Sequence, residues 1–274
     1  MADQQLPEPI IRVVKDTGDV KIHTFISAEA FLANATHIIE SPNALVVVDG
    51  QFVVPYAMMF RGYVNSLGKP IERVYLSHGH VDHFFGLGAA FADCDIYALP
   101  EVIAFLEMAG EPTRAALAQV YGPMVTETLA IPSNAVSAGT EVIDGVTYEH
   151  VVNTDAETDI QLALKLPDQG VYITQDLLYS GQHMYITPNF NHWISILEGL
   201  EASEYETFLP GHGVPADKEE IRNNIKYLQF AKQAYAEAAD AEAFKAALLE
   251  AFPERGGAAI FDIYLPHLYG DGPQ

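Results

Sequence analysis

The chain has 274 residues, of which 49% are hydrophobic and 19% are charged, a composition typical of globular rather than disordered proteins. Its formal net charge of −23 disfavours binding to nucleic-acid phosphates and to anionic membrane surfaces. The single cysteine, Cys94, excludes a disulfide within the chain, and its position between Asp93 and Asp95 favours a structural role over a catalytic one.

The sequence also gives an expectation about where the protein acts. Its first seven residues contain neither a basic segment nor an apolar stretch typical of a signal peptide. No apolar run approaches the length of a membrane span. We therefore expect a cytoplasmic protein that acts on a small molecule and has no nucleic-acid or membrane partner. The sequence leaves open whether it forms a homo-oligomer.

Strands and turns are predicted for about the first 50 residues of the chain, and helices are predicted after them. Strands are predicted at residues 10–14, 20–25, 35–40 and 44–49, separated by glycine and proline turns. A helix is predicted at 53–67, and a strand at 71–76 then leads directly into a cluster of histidines. A helix at 82–91, a strand at 96–99 and a helix at 101–121, interrupted near Gly110-Glu111-Pro112, follow.

The second half repeats this order. Strands are predicted at 140–143, 147–152, 160–166 and 171–174, with a hairpin turn at 167–170. A helix at 193–200 and a short strand at 207–209 precede helical segments at 218–239 and 241–252. Since no linker divides the chain, we expect one domain over residues 1–274, built of two α/β layers, in which residues 218–274 form a helical cover. The aromatic segment 261–269 is expected to pack on the domain or on a second subunit.

Four potential metal ligands lie within six residues, at His78, His80, Asp82 and His83. Side chains two apart on an extended segment face the same side, so the first two histidines can share one ion. The next two side chains come at the turn into a helix and can face a neighbouring position. Only ten histidines occur in the chain, which disfavours a chance cluster. The spacing predicts a metal site but does not fix the reaction.

The segment Ser-His-Gly-His-Val-Asp-His at 77–83 resembles the H-x-H-x-D-H signature of the metallo-β-lactamase superfamily. Three further segments resemble elements of that family in the same order: Val-Val-Val-Asp-Gly at 46–50, Tyr-Ile-Thr-Gln-Asp-Leu-Leu at 172–178 and Leu-Pro-Gly-His-Gly at 209–213. The resemblance implies an α/β fold, an αββα sandwich of two mixed β-sheets flanked by helices, here with a helical C-terminal extension.

The resemblance also implies two divalent metal ions. Zinc is the first expectation, and manganese or iron are alternatives. The implied ligands are His78 and His80 for one ion and Asp82, His83 and His212 for the other, with Asp176 between the two ions and Asp49 orienting ligands by hydrogen bonds.

The chain departs from the family pattern at one ligand. Most members have a further histidine where this chain has Asn-Thr-Asp-Ala-Glu-Thr-Asp at 153–159. Thr-Asp-Ala at 154–156 is similar to the Thr-Glu-Ala-Pro element of alkylsulfatase-like members, which makes Asp155 the first candidate for the missing ligand. Glu157 is the second candidate and Asp159 the third, while His150 lies too early. The alternative is a solvated acidic loop beside an incomplete site.

The resemblance implies a hydrolase in which a metal-bridged hydroxide attacks an ester, lactone, thioester, β-lactam or related bond. Asp82 and Asp176 are the residues expected to take part in catalysis. Two other classes remain open: a mononuclear iron oxidoreductase of the persulfide dioxygenase type, and a ligand-binding member with little catalysis.

Aromatic and histidine side chains near these motifs are candidates for binding the substrate. Related enzymes often line the pocket with residues that follow the strand of the bridging aspartate. The candidates of this kind are His183, Tyr185 and Trp193, for which ordinary packing in the core is an equally weighted alternative. Phe85 is a further candidate because it lies directly beside the cluster of ligands and can form an apolar wall.

Overall fold

The computed structural model describes residues 6–270 of the chain. Its first sheet has seven strands in sequential order. The amino-terminal strands pair antiparallel, and the remaining strands pair parallel from the fourth onward. The strands are β1 (Ile10–Asp16), β2 (Lys21–Ile26), β3 (Ala35–Glu40), β4 (Leu45–Val48), β5 (Ile71–Tyr75), β6 (Ile96–Ala98) and β7 (Asn134–Ala135).

The second sheet has five strands, and its order places the last strand of the chain beside the penultimate one. These two strands pair parallel, and the other pairs are antiparallel. In chain order they are β8 (Gly139–Ile143), β9 (Val146–Thr154), β10 (Ile160–Leu166), β11 (Val171–Tyr179) and β12 (Thr207–His212). Both sheets are therefore mixed, as expected from the sequence.

Helices cover the outer faces of the two sheets. Within the described residues they are α1 (Val54–Ser66), α2 (Val81–Ala90), α3 (Pro100–Tyr121), α4 (Phe190–Ala202), α5 (Lys218–Glu237), α6 (Ala241–Ala251) and α7 (Ile260–Leu268). Apolar side chains of α1 to α3 pack in one core with both sheets, and those of α4 to α7 pack in a second core with the five-stranded sheet. This arrangement confirms the predicted αββα fold with its helical C-terminal region. None of the helices within residues 6–270 has the length and apolar character needed to cross a membrane.

Alternation along the second sheet explains how it serves two cores. In β10, Leu162 and Leu164 lie in the first core, and Ala163 between them lies in the second. In β11, Ile173 lies in the first core and its neighbour Tyr172 lies in the second. Since successive side chains of a strand point to opposite faces, a strand buried on both faces must be apolar at nearly every position.

Helix α3 and strand β11 both differ from their predictions in ways that affect the site. Helix α3 runs unbroken through Pro112, so the predicted interruption is wrong. Pro112 and Met108 are both exposed, and water can satisfy the Met108 carbonyl that the proline leaves without an amide donor. Strand β11 continues past the predicted end at residue 174 to Tyr179, so Asp176 lies inside a buried strand. The segment 261–269 packs on the domain through Phe261 and Tyr264, as one of the two expected alternatives has it.

A close approach between two glycines holds the start of α2 against the loop after β4. The Gly50 amide donates to the His83 carbonyl at 2.7 Å, and the Gly86 amide donates to the Gln51 carbonyl at 2.8 Å. A Cβ atom on Gly86 would lie 2.1 Å from the Gly50 carbonyl oxygen. Only glycine allows this contact, which brings Asp49 next to the first turn of α2.

We therefore predict that Gly86→Ala lowers the free energy of unfolding by more than about 1 kcal/mol, because the added methyl group must displace backbone. Gly62→Ala in α1 is the matched control, since a Cβ there meets nothing within 4 Å. This control should raise the free energy of unfolding by about 0.5–1 kcal/mol, because alanine favours the helix. Urea denaturation of both metal-free variants gives the comparison. Equal effects of the two substitutions would contradict the close approach.

Candidate metal centre

Seven histidine and carboxylate side chains converge from the segment after β5, the turn after β9, the interior of β11 and the last residue of β12. They form two groups, and the ligand atoms within each group lie within 4.8 Å of one another. The predicted cluster after β5 supplies members of both. The first group is His78, His80, Glu157 and Asp176, and the second is Asp82, His83 and His212.

Asp176 lies between the two groups. Its Oδ1 atom is 3.2 Å from His83 Nε2, and its Oδ2 atom is 3.2 Å from His212 Nε2. The same Oδ2 atom is 3.6 Å from His78 Nε2. A Cβ atom on Gly211 would lie only 1.8 Å from Asp176 Oδ1, so the glycine of the Pro-Gly-His segment makes room for this carboxylate. One carboxylate therefore faces ligands of both groups, as expected for a bridging residue.

Hydrogen bonds fix the ring orientation of three histidines. His83 Nδ1 donates to Asp49 Oδ2 at 2.8 Å, and His212 Nδ1 donates to the Leu32 carbonyl at 2.9 Å. The Ser77 hydroxyl donates to Asp49 Oδ2 at 2.7 Å, so its oxygen accepts from His78 Nδ1 at 2.8 Å. With the proton held on Nδ1, the Nε2 lone pair of each ring points into the cluster, as metal ligation requires.

Four buried atoms of the cluster lack a hydrogen-bond partner among residues 6–270. They are His78 Nε2, His83 Nε2, Glu157 Oε2 and Asp176 Oδ1. A buried polar atom without a partner costs on the order of 1–3 kcal/mol, and native proteins rarely leave several together. Imidazole nitrogens and carboxylate oxygens are ligands of divalent transition metals. The donor set therefore fits metal ions.

The histidines and carboxylates of the cluster shift one another's pKa values. Burial raises the pKa of Asp176, but His83, His212 and His78 lower it, and the pKa lies well below its usual range. Burial lowers the pKa of His83, yet Asp176, Asp82 and Asp49 hold it well above its usual range. The carboxylates thus stabilise positive charge at this position, either as protonated imidazole or as a cation that displaces the protons.

Asp49 is the centre of a hydrogen-bond network behind the ligands. Besides His83, its carboxylate accepts from the backbone amide and hydroxyl of Ser77 and from the side-chain amide of Gln175. The Gln175 Oε1 atom accepts in turn from His37 Nε2 at 3.0 Å. Burial lowers the pKa of His37 to about 4, so this imidazole is neutral. Asp49 therefore hydrogen-bonds to the candidate ligand His83, and its role in orienting metal ligands stays a prediction.

Sequence reasoning missed Gln175 and Tyr179. Gln175 has a φ of 47°, and the register of β11 with β12 shifts on both sides of it. Beyond the shift, the Tyr179 hydroxyl donates to Asp176 Oδ2 at 3.2 Å, and its ring stacks on His212 with centroids 4.8 Å apart. The sequence signal that could have identified Gln175 is its polar side chain beside Asp176 in a mostly apolar strand. Regular alternation would have placed Tyr179 on the opposite face from Asp176.

The structure does not bring Asp155, the first candidate for the missing ligand, into the cluster. Asp155 is exposed with a φ of 51°, and its amide donates to the Asp159 carbonyl in a tight turn. Glu157, the second candidate, is 1% exposed, and its Oε1 atom lies 3.2 Å from His80 Nδ1. Asp159 is also exposed. The turn points the side chains of Asp155 and Asp159 to solvent and that of Glu157 inward.

Three of the four predicted substrate-binding side chains are instead buried in the cores. Phe85 packs against Phe84 and Phe52, with ring centroids 4.9 and 6.2 Å apart. His183 hydrogen-bonds to the Tyr227 hydroxyl at 3.0 Å, and Trp193 Nε1 donates to the Leu177 carbonyl at 2.9 Å. These side chains stabilise the fold. Tyr185 alone of the four lies at the site, with its ring centroid 5.1 Å from that of His80.

Comparisons with known proteins agree with this geometry. The sequence model described as the metallo-beta-lactamase superfamily matches residues 30–212, more than half of the chain. No curated protein matches the chain. Among solved structures, a metallo-β-lactamase from Pontibacter korlensis is 17% identical, with a TM-score of 0.61 over 80% of this chain and 99% of that one. The mono-zinc form of the metallo-β-lactamase FIM-1 from Pseudomonas aeruginosa is also 17% identical, with a TM-score of 0.62 over 82% and 98%.

At this identity the two solved structures establish the shared fold and nothing about the substrate. The family match includes the cluster after β5, Glu157, Asp176 and His212. The ordered motifs, the two mixed sheets and the converging ligands are thus explained together. The chain belongs to the metallo-β-lactamase superfamily.

Proposed function

We propose that the protein is a metal-dependent hydrolase that holds two divalent ions, zinc first, and cleaves an ester, lactone, thioester, β-lactam or related bond of a small molecule. The observation that carries the proposal is the position of Asp176, whose carboxylate faces both ligand groups. With Asp176 shared, each group offers four ligands. His78, His80 and Glu157 complete the first, and Asp82, His83 and His212 complete the second.

The chemistry divides between the ions and the side chains. When bound, divalent ions supply Lewis acidity and lower the pKa of coordinated water toward neutrality. Asp176 would orient the two ions relative to each other. The Tyr179 hydroxyl donates a hydrogen bond to Asp176 Oδ2 and so fixes the position of this carboxylate. The side chain of Asp82 is 15% exposed, so its carboxylate lies on the open side of the cluster. On this proposal Asp82 accepts a proton from an attacking water and returns it to the leaving group.

A second candidate function has a specific observation in its favour. His78, His80 and Glu157 make a set of two histidines and one carboxylate, the donor set of many non-haem iron enzymes. A carboxylate in place of a third histidine also favours harder ions such as manganese and iron. An iron-dependent oxidoreductase with one filled position is therefore the alternative to the two-ion hydrolase.

Elemental analysis of protein purified without added metal, followed by a hydrolysis screen, separates the two functions. We expect two ions per chain and turnover of at least one ester, lactone, thioester or β-lactam that is lost on chelation and restored by metal. One iron per chain with oxygen uptake would support the oxidoreductase instead. Absence of any turnover at full metal occupancy would overturn the hydrolase proposal.

Glu157→Gln should weaken metal binding at the first position by at least about tenfold, because it removes a charged ligand. Asp155→Asn is the matched control, since it removes the same charge from an exposed side chain two residues away. Competition with a chromogenic chelator measures both affinities. If Asp155→Asn weakened binding and Glu157→Gln did not, the assignment of Glu157 as the ligand would be wrong.

His80→Ala and Asp82→Asn should each lower kcat by at least about a hundredfold while the fold is retained, because each removes a group of the proposed machinery. His267→Ala is the control, since His267 is exposed on α7. Steady-state kinetics with circular dichroism spectra distinguish loss of chemistry from loss of structure. Full activity of either site variant would contradict the mechanism.

Gln175→Leu should lower metal affinity by about 10–100-fold, the usual effect of losing a partner behind a ligand. The substitution removes the Gln175 donor to Asp49 and leaves His37 Nε2 with the Pro210 carbonyl as its acceptor. Gln175→Gly would relieve the positive φ but lose the same amide, so it separates backbone strain from hydrogen bonding. Wild-type affinity in the glycine variant would show that the amide has no positioning role.

A further inference from the structure

Among the seven candidate ligands, only two have side chains with appreciable exposure to solvent. The side chains of His80 and Asp82 are 32% and 15% exposed. Those of the other five candidate ligands are at most 2% exposed. A substrate therefore reaches the cluster past His80, and the side chains around His80 contact it first.

An exposed aromatic ring lies against the loop that carries His80. A Cβ atom on Gly79 would meet Phe105 Cδ1 at 2.7 Å, so the Phe105 ring packs directly on the backbone between His78 and His80. Phe105 is nevertheless 47% exposed. Met108 follows three residues later on the same face of α3 and is 74% exposed. This helix therefore presents apolar surface beside the opening.

Tyr185 is a second aromatic side chain at the opening. Its ring centroid lies 5.1 Å from that of His80 and 5.4 Å from that of Tyr264, a buried residue of α7 that supports it. Burial and the charges of Glu157 and Asp82 raise the pKa of Tyr185 to about 12. A neutral aromatic side chain therefore lies beside His80.

No lysine or arginine among the described residues forms an ion pair with a carboxylate of the cluster. The ion pairs of these carboxylates are all with histidines of the cluster. In addition, the four carboxylates of Asp49, Asp82, Glu157 and Asp176 would offset the charge of two divalent ions. A carboxylate on the substrate would therefore meet no net positive charge from the ions and the carboxylates around them.

We infer that the site selects uncharged substrates with an extended apolar group, and that Phe105 and Tyr185 bind this group on either side of His80. The inference rests on the proposed hydrolase function and names its substrate class. Sites of this kind gain affinity from apolar area removed from water, while a few polar groups fix orientation. The acyl part of an ester, thioester or lactone is the chemistry that fits.

Hydrolysis of three p-nitrophenyl esters tests the inference: the acetate, the octanoate and the half-ester of suberic acid, which carries a terminal carboxylate on a chain of the same length. For the metal-loaded protein we expect kcat/KM for the octanoate to exceed that for the suberate by at least about tenfold. Phe105→Ala should lower kcat/KM for the octanoate by about tenfold and leave the acetate nearly unchanged. Met58→Ala, an equally exposed apolar side chain on α1, is the control.

A binding measurement keeps the test independent of catalysis. The uncharged probe N-phenylnaphthylamine should bind metal-free protein, and Phe105→Ala should weaken its binding by about tenfold. Gly79→Ala should also weaken it, because the new methyl group displaces the ring. In the Phe105→Ala background, Gly79→Ala should have no further effect, since the two substitutions act through one contact.

The outcomes separate the two proposals. If none of the esters is hydrolysed at full metal occupancy but the probe binds as expected, the hydrolase function fails for these substrates and the apolar site stands. If the esters are hydrolysed but the octanoate and suberate react equally, or if Phe105→Ala changes neither kinetics nor probe binding, the inference is overturned.

Discussion

The site depends on two adjacent residues of β11 that both reach across to the half of the molecule built on the first sheet. Asp176 faces His83 at the start of α2, and Gln175 donates to Asp49 after β4. Neighbouring residues of a regular strand point to opposite faces, so both contacts require the local change of register around Gln175. The irregularity in β11 therefore brings the ligands of the two halves together.

Buried charge is the main energetic constraint on this arrangement. Four carboxylates lie in or behind the cluster, and three of them are at most 1% exposed. Burial of unpaired carboxylates is strongly unfavourable, so the folded state requires compensating positive charge. Protonated histidines can supply this positive charge in the metal-free protein. A bound divalent cation would also supply it, and would in addition bind the imidazole nitrogens and carboxylate oxygens directly. Binding of a divalent ion to this cluster would therefore be coupled to folding, because the unfolded chain does not assemble the ligands.

In the proposed hydrolase, the negative charge of Glu157 would affect which substrates bind as well as which ions bind. A histidine at this position would leave two bound divalent ions with an excess of positive charge, which attracts anionic substrates. Glu157 offsets that excess, and aromatic rather than basic side chains surround the opening at His80. In the proposed hydrolase, ligand choice and pocket lining would therefore favour the same substrate chemistry, although Glu157 follows β9, Phe105 lies on α3 and Tyr185 precedes α4.

The sequence by itself determined the fold and most of the candidate ligands. The cluster from His78 to His83 is a local pattern whose spacing is set by an extended segment followed by a helical turn, and ordered motifs around Asp49, Asp176 and His212 accompany it. The alternation of apolar and polar residues and the positions of turn residues likewise predicted most strands and helices, because these depend on nearest neighbours in the chain.

Tertiary structure decided the remaining features of the site. It selected Glu157 over Asp155 through the conformation of one turn, and it buried Phe85, His183 and Trp193 in the cores. It also placed Phe105, distant in sequence from any motif, against Gly79. Apolar and aromatic residues look alike in a sequence whether they pack in a core or line a pocket, and only the packing of helices on sheets distinguishes the two.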